Sequence, residues 1–141
     1  MAKKKVFISF DYEKDKHYYY LMKAWDANSD FEFVFSDYTS KEIKSDDVAT
    51  VKRALSRKIG EATHTLVIIG KEANKTHEDS SEIGYKNWQN YEIAKSVERN
   101  NKIIGVKIDR TYESPEEILN IGATWAYSFT QEKIIEALKN A

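Results

Sequence analysis

Short runs of β-branched and aromatic residues alternate along this chain with amphipathic stretches at helical spacing, and that alternation restricts its fold more than any other feature. The pattern is the signature of parallel α/β folds, where strands lie buried under the helices that connect them and read as near-continuous apolar runs. Val6–Phe10 is such a run, followed by a helix expected from about Lys14 to Ala27 that carries Tyr18, Leu21, Met22 and Trp25 at three- and four-residue spacings. Phe31–Phe35 is the second strand. After a polar loop, Ser45-Asp46-Asp47 caps a helix to about Glu61, with Val48, Val51, Leu55 and Ile59 in one stripe. Thr65–Ile69 is the third strand, ended by Gly70. A polar segment from Lys71 to about Glu82 leads into a helix reaching Glu98 or Arg99, on which Ile93, Ala94 and Val97 suit the sheet-facing side. Ile103–Ile108 is the fourth strand. Ser114 reads as an N-cap with Pro115 at the first helical position, Thr124–Phe129 as the last strand, and Thr130 as the cap of a final helix with Ile134, Ile135 and Leu138 inward.

Strict alternation of this kind predicts an α/β chain built as a three-layer, doubly wound, five-stranded parallel sheet with right-handed crossovers, in the flavodoxin-like order 2-1-3-4-5. Ligands of such sheets bind beyond the carboxyl ends of the strands where the order reverses, which here means the loops after strands one and three. A length of 141 residues fits a single domain spanning 1–141, and one proline with five glycines leaves little punctuation for a second. No repeat or low-complexity tract interrupts the pattern.

Charge removes several functions. Charged residues make up 32% of the chain yet nearly cancel, to −1, which argues against a nucleic-acid binder. No cysteine is present, so disulfides, thiolate nucleophiles and cysteine zinc sites are excluded, and a reducing cytoplasm suits the chain. The basic opening is followed by only five residues before Asp11, too few for the apolar core of a signal peptide, and no stretch approaches a membrane span. A cytoplasmic protein without membrane partners is the expectation.

The loop after the first strand, Phe10-Asp11-Tyr12-Glu13-Lys14-Asp15, lacks the glycine-rich turns that cradle dinucleotides or nucleoside phosphates. It also lacks the hydroxyl-rich loop of a flavodoxin. A phospho-receiver needs an aspartate ending strand three, where this chain has Gly70. His17, His64 and His77 fall at unrelated spacings, giving no metal motif, and no nucleophile elbow appears. Neither a metal nor a bound cofactor is expected.

The segment Asn87-Trp88-Gln89-Asn90-Tyr91-Glu92-Ile93-Ala94 carries more. Trp88 and Glu92 are four apart and so share a helix face, and Glu92 adjoins the buried stripe. On spacing alone, Glu92 is either a carboxyl at the boundary of core and cleft, its pKa raised by partial burial, or a solvated glutamate of an ordinary amphipathic helix.

Val6-Phe7-Ile8-Ser9-Phe10 resembles the opening box of TIR domains. With it, Leu66-Val67-Ile68-Ile69-Gly70, then Trp88-x-x-x-Glu92-Ile93-Ala94, then Lys102-Ile103-Ile104-Gly105-Val106 are similar to the TIR-like branch of the Thoeris antiphage defence system, in order and across nearly the whole chain. That resemblance implies NAD chemistry: the nicotinamide–ribose bond of NAD, a substrate and not a cofactor, is broken, and a cyclic or conjugated ADP-ribose messenger diffuses to an effector. The family glutamate falls on Glu92, which would stabilise an oxocarbenium-like ribose or form a covalent acylal. Phe10, Tyr12 and Trp88 would wall the substrate, Asp11 would join them from the same loop, and Ser36, Asp37 and Tyr38 would flank the opening. Self-association of the domains also follows from the resemblance. Residues 71–85 depart from it, being longer and more acidic than the family's approach to this helix, and read either as a lid or as a solvated insertion. Two other functions stand beside this one. A non-catalytic TIR-like adaptor would share the fold, and a nucleoside deoxyribosyltransferase-like enzyme would share both the sheet and a glutamate acting on N-glycosidic bonds.

Overall fold

A computed structural model describes residues 4–26, 33–35 and 47–141. The sheet is parallel throughout and runs β2-β1-β3-β4-β5, with β1 at Lys4–Ser9, β2 at Phe33–Phe35, β3 at His64–Ile69, β4 at Lys102–Lys107 and β5 at Thr124–Ala126. The α/β class and parallel sheet read from the alternation are therefore present. Helices α1 (Tyr12–Asp26), α2 (Val48–Glu61), α3 (Ser80–Ile83), α4 (Trp88–Glu98) and α5 (Gln131–Asn140) connect and cover the strands. Strand β3 is buried at all six positions because it is sandwiched between both layers.

Side chains alternate across the sheet, so each face has its own core. Val6, Ile8, Leu66, Ile68, Ile104 and Val106 meet Tyr19 and Met22 of α1 and Ile134 and Leu138 of α5. The other face divides into a cluster of Phe7 with the predicted α2 stripe Val48, Val51, Leu55 and Ile59, and a second of Val67, Ile69, Ile93 and Ile103. Gly105 permits the second: a Cβ there would lie 2.7 Å from Trp125 Cζ3, so the indole crosses β4 where no side chain stands.

Several expected boundaries move, each for a local reason. Helix α1 starts at Tyr12, two residues before Lys14, because Asp11 caps it: its Oδ1 accepts from the Lys14 N–H at 3.3 Å. Of the expected Ser45-Asp46-Asp47 cap, Ser45 and Asp46 lie outside the described residues, and Asp47 accepts from the Thr50 hydroxyl at 2.7 Å. The expected proline start is corrected. Pro115 is itself the cap residue of a single 3-10 turn, Glu116–Ile118, and the amide side chains of Asn74 and Asn90 accept from the Glu116 and Glu117 N–H groups at 3.1 and 2.9 Å. The last strand stops at Ala126, well short of Phe129.

The acidic segment after β3 is neither a solvated insertion nor part of one long helix. Ala73 and Ile83 are fully buried, and Asn87 donates to the carbonyls of Ala73 and Lys75, both at 2.9 Å. His77 N–H reaches Lys86 O at 2.8 Å, and Lys52 Nζ reaches Glu82 O at 2.7 Å. Gly84 ends α3 in the left-handed region at φ 82°, where a Cβ would be strained. Asn87 then starts α4 by accepting from the Asn90 N–H at 2.9 Å.

Candidate active site

Helix α4 lays a polar face on the sheet. Gln89, Asn90, Glu92, Ile93 and Ser96 are buried, whereas Val97, expected inward, is 43% exposed. The sheet answers with its own polar groups, since Ser9 of β1 and Thr65 of β3 point to the same side as Phe7 and Val67. Thr65 and Ser96 share a hydroxyl–hydroxyl bond of 2.7 Å, and the Ser96 hydroxyl donates back to the Glu92 carbonyl at 2.7 Å. Gln89 Nε2 donates to the Ile68 carbonyl at 2.9 Å, tying the first turn of α4 to the end of β3.

Glu92 lies within this seam, 2% exposed. Its Oε1 accepts from Ser9 Oγ at 2.9 Å, at the carboxyl end of β1. Loss of hydration pushes the carboxyl up to about 8, and the Ser9 bond works in the opposite direction by favouring the charged form. At neutral pH the group is therefore mainly protonated: it holds a proton, yet ionises readily once a positive charge comes near. The solvated reading of Glu92 is overturned. Its burial is complete rather than partial, and it comes from the seam as a whole. The ring contact described for Trp88 is with Tyr91, edge-on at 5.6 Å, and its half-buried side packs toward Phe7 and α2.

The other expected substrate residues scatter. Phe10 is 4% exposed and stacked on Tyr19 at 4.7 Å in the core beneath α1, so its ring belongs to the opposite face of the sheet from α4. Asp11 caps α1. Tyr12 is the first residue of α1, and its side chain lies outside what is described, as do Ser36, Asp37 and Tyr38 altogether. Ser9, which spacing did not single out, is the residue that meets Glu92. The signal available for it was a hydroxyl in an otherwise apolar run. Among the described residues no three metal-ligating side chains come together. No helix among them is long and apolar enough to cross a membrane.

A family model described as "Thoeris protein ThsB, TIR-like domain" matches residues 7–113. Among solved structures, the chain is similar to the TIR domains in "Structure of the activated Roq1 resistosome directly recognizing the pathogen effector XopQ", at 19% identity and a TM-score of 0.43 over 74% of this chain. The match spans 57% of the length of that solved chain. No curated protein matches.

Proposed function

The chain belongs to the TIR-like family of the Thoeris protein ThsB, and on that premise we propose that it breaks the nicotinamide–ribose bond of NAD, with Glu92 as the carboxyl that meets the ribose. The observation carrying this reading is the buried Ser9–Glu92 pair at the carboxyl end of β1, 2.9 Å apart, beside the point where strand order reverses between β1 and β3. A carboxyl held near pH 8 in the empty protein is neutral on first contact. The cationic nicotinamide ring would lower that value, releasing the proton to solvent and leaving a carboxylate at the point where positive charge develops.

The chemistry then runs through bond breaking ahead of bond making. The electrons of the C1′–N bond go to nicotinamide, which leaves neutral, and the ribosyl cation is stabilised by Glu92. An oxygen or nitrogen nucleophile, either water or a group of the same ADP-ribose, closes on C1′, and any proton it sheds returns to the Glu92 carboxylate. A water nucleophile yields ADP-ribose, and an internal one a cyclic messenger that would diffuse to an effector. Self-association of the domains belongs to the same reading.

One observation favours the adaptor reading instead: at 2% exposure Glu92 is closed off by its own seam, as a purely structural acid would be. Incubating purified protein with NAD and following nicotinamide by chromatography separates the two. We expect release, and a fall of at least ~100-fold in Glu92→Gln with the melting temperature kept within a few degrees. Equal release by that variant would remove Glu92 from the chemistry, and no release by the unaltered protein at any concentration would favour the adaptor.

A further inference from the structure

A second cleft opens on the opposite side of the sheet from Glu92. It lies between α1 and the segments that follow β3 and β4, has a volume of about 390 Å3, and is lined by Asp15, Tyr18, Lys71, Glu72, Ile108 and Tyr112 among others. That volume falls in the range of small-molecule sites. Tyr18 and Ile108 pack on the core beneath α1, whereas Ser9 and Glu92 belong to the α4 face, so the two places do not share walls.

Asp15 is 6% exposed, and its Oδ2 has no hydrogen-bond partner. An unpaired buried carboxylate oxygen is costly, and few survive in a fold without a reason. The backbone makes room for this one. A Cβ at Gly70, the residue ending β3, would overlap the Asp15 carboxylate, so the glycine keeps the acid seated against the strand end. Burial, then Asp11, then Glu72 raise its pKa to about 6, which leaves it mainly ionised at neutral pH and able only to accept. The missing partner is thus a donor.

The rest of the cleft describes what carries that donor. Tyr18, Tyr112 and Ile108 are half-buried and give flat apolar walls suited to a planar ring. Lys14 and Lys71, both exposed, stand at the rim where a phosphate would meet them from solvent. Glu72 does not oppose an anion with its full charge, since Lys75 pairs with it at 3.6 Å. A donor at the floor, a ring between the walls and an anion at the rim together define one class of molecule. We propose that this cleft binds a nucleotide whose base carries an exocyclic amine, the amine donating to Asp15 and the phosphate lying against Lys14 and Lys71.

Adenine and cytosine both present such an amine, and hypoxanthine and uracil replace it with a carbonyl that Asp15 would repel. Titration of the full chain with AMP, CMP, IMP and UMP, followed by amide chemical shifts, tests the assignment. AMP or CMP should shift residues of the α1 start and the 70–72 and 108–112 segments, and binding of its carbonyl counterpart should be ~10-fold weaker or more. The AMP-to-CMP preference tells a two-ring from a one-ring base. Asp15→Asn should weaken binding of the amine nucleotide by a similar factor, and Lys71→Ala should weaken it and reduce its salt dependence. Glu92→Gln should leave it unchanged, so that failure of this site is separable from failure of NAD cleavage. Equal binding of AMP and IMP and of CMP and UMP, or no binding at millimolar nucleotide, overturns the proposal. If Asp15→Asn does not fold, the amine-to-carbonyl ratios on the unaltered chain decide alone.

Discussion

Ser9 and Glu92 show how one hydroxyl can set the state of one acid. Burial alone drives the Glu92 carboxyl upward, and the 2.9 Å donation from Ser9 is the one force described as pulling it back, because a charged acceptor gains more from a donor than a neutral one. Ser9→Ala should therefore raise the Glu92 pKa above its value of about 8, read from the pH titration of the carboxyl carbon signal of a 13C-labelled sample. A lower value in the variant would mean that water enters the vacated space and hydrates the acid. Glu92 itself was legible from its place four residues after Trp88, but its partner was not. Hydrophobic periodicity finds helix faces by their apolar residues, and here Gln89, Glu92 and Ser96 occupy the sheet-facing side while Val97 points out. Polar residues can fill that side only because Ser9 and Thr65 meet them from the strands, a pairing between distant segments that no local window contains.

At the scale of elements, the α4 N-terminus organises everything around it through three asparagines. Asn90 is fully buried; it donates to the side-chain oxygens of Asn74 and Asn87 at 3.2 and 3.0 Å and accepts from the Glu117 N–H at 2.9 Å. Asn74 in turn accepts from Glu116 N–H and donates to Glu113 at 2.8 Å. Residues 73–75 and 113–117 are thereby fastened to one helix end, which is why the acidic segment after β3 is packed where its composition reads as solvent-facing. Asn90→Ala would leave the Glu117 N–H and the Asn74 oxygen short of a partner, at a cost of about 1–3 kcal/mol for each group that stays buried. Faster amide exchange at Glu116, Glu117 and Ile118, with β3 and β4 unchanged, is the expected signature. Uniform acceleration across the sheet would show instead that Asn90 holds the whole fold. Asparagine and proline patterns signalled turns here, but which turns they close depends on contacts across 16 and 27 residues of chain.

For the molecule as a whole, the apolar runs were legible because both sheet faces are covered, and a strand buried twice cannot hide its composition. Strand ends were not, since they depend on where neighbours stop pairing. The same burial that makes the strands readable gives the protein an unusual pH response. Glu92 keeps its proton to about 8 when folded and loses it near its ordinary value of 4.5 when unfolded, so between those limits the folded state binds more protons. Stability from this group is complete below 4.5 and falls as pH rises to about 8. Asp15 acts in the same sense from 3.8 to about 6. His64, lowered by burial and by Lys4 and Lys102, works the other way, withdrawing stability as pH falls below 6.5. Asp47 and Asp109, held down chiefly by the hydroxyls of Thr50 and Thr111, do the same as pH falls below 3.8. Between pH 6.5 and 8 only the Glu92 contribution is still changing, and it is unfavourable. Urea denaturation should thus give a midpoint that declines from pH 6.5 to 8.5, by an amount on the order of 1–2 kcal/mol. Glu92→Gln should flatten that decline while keeping an acceptor for Ser9. A wild-type midpoint that stays level across the interval would mean that the seam between α4 and β1 admits enough water to let Glu92 ionise at its ordinary pH.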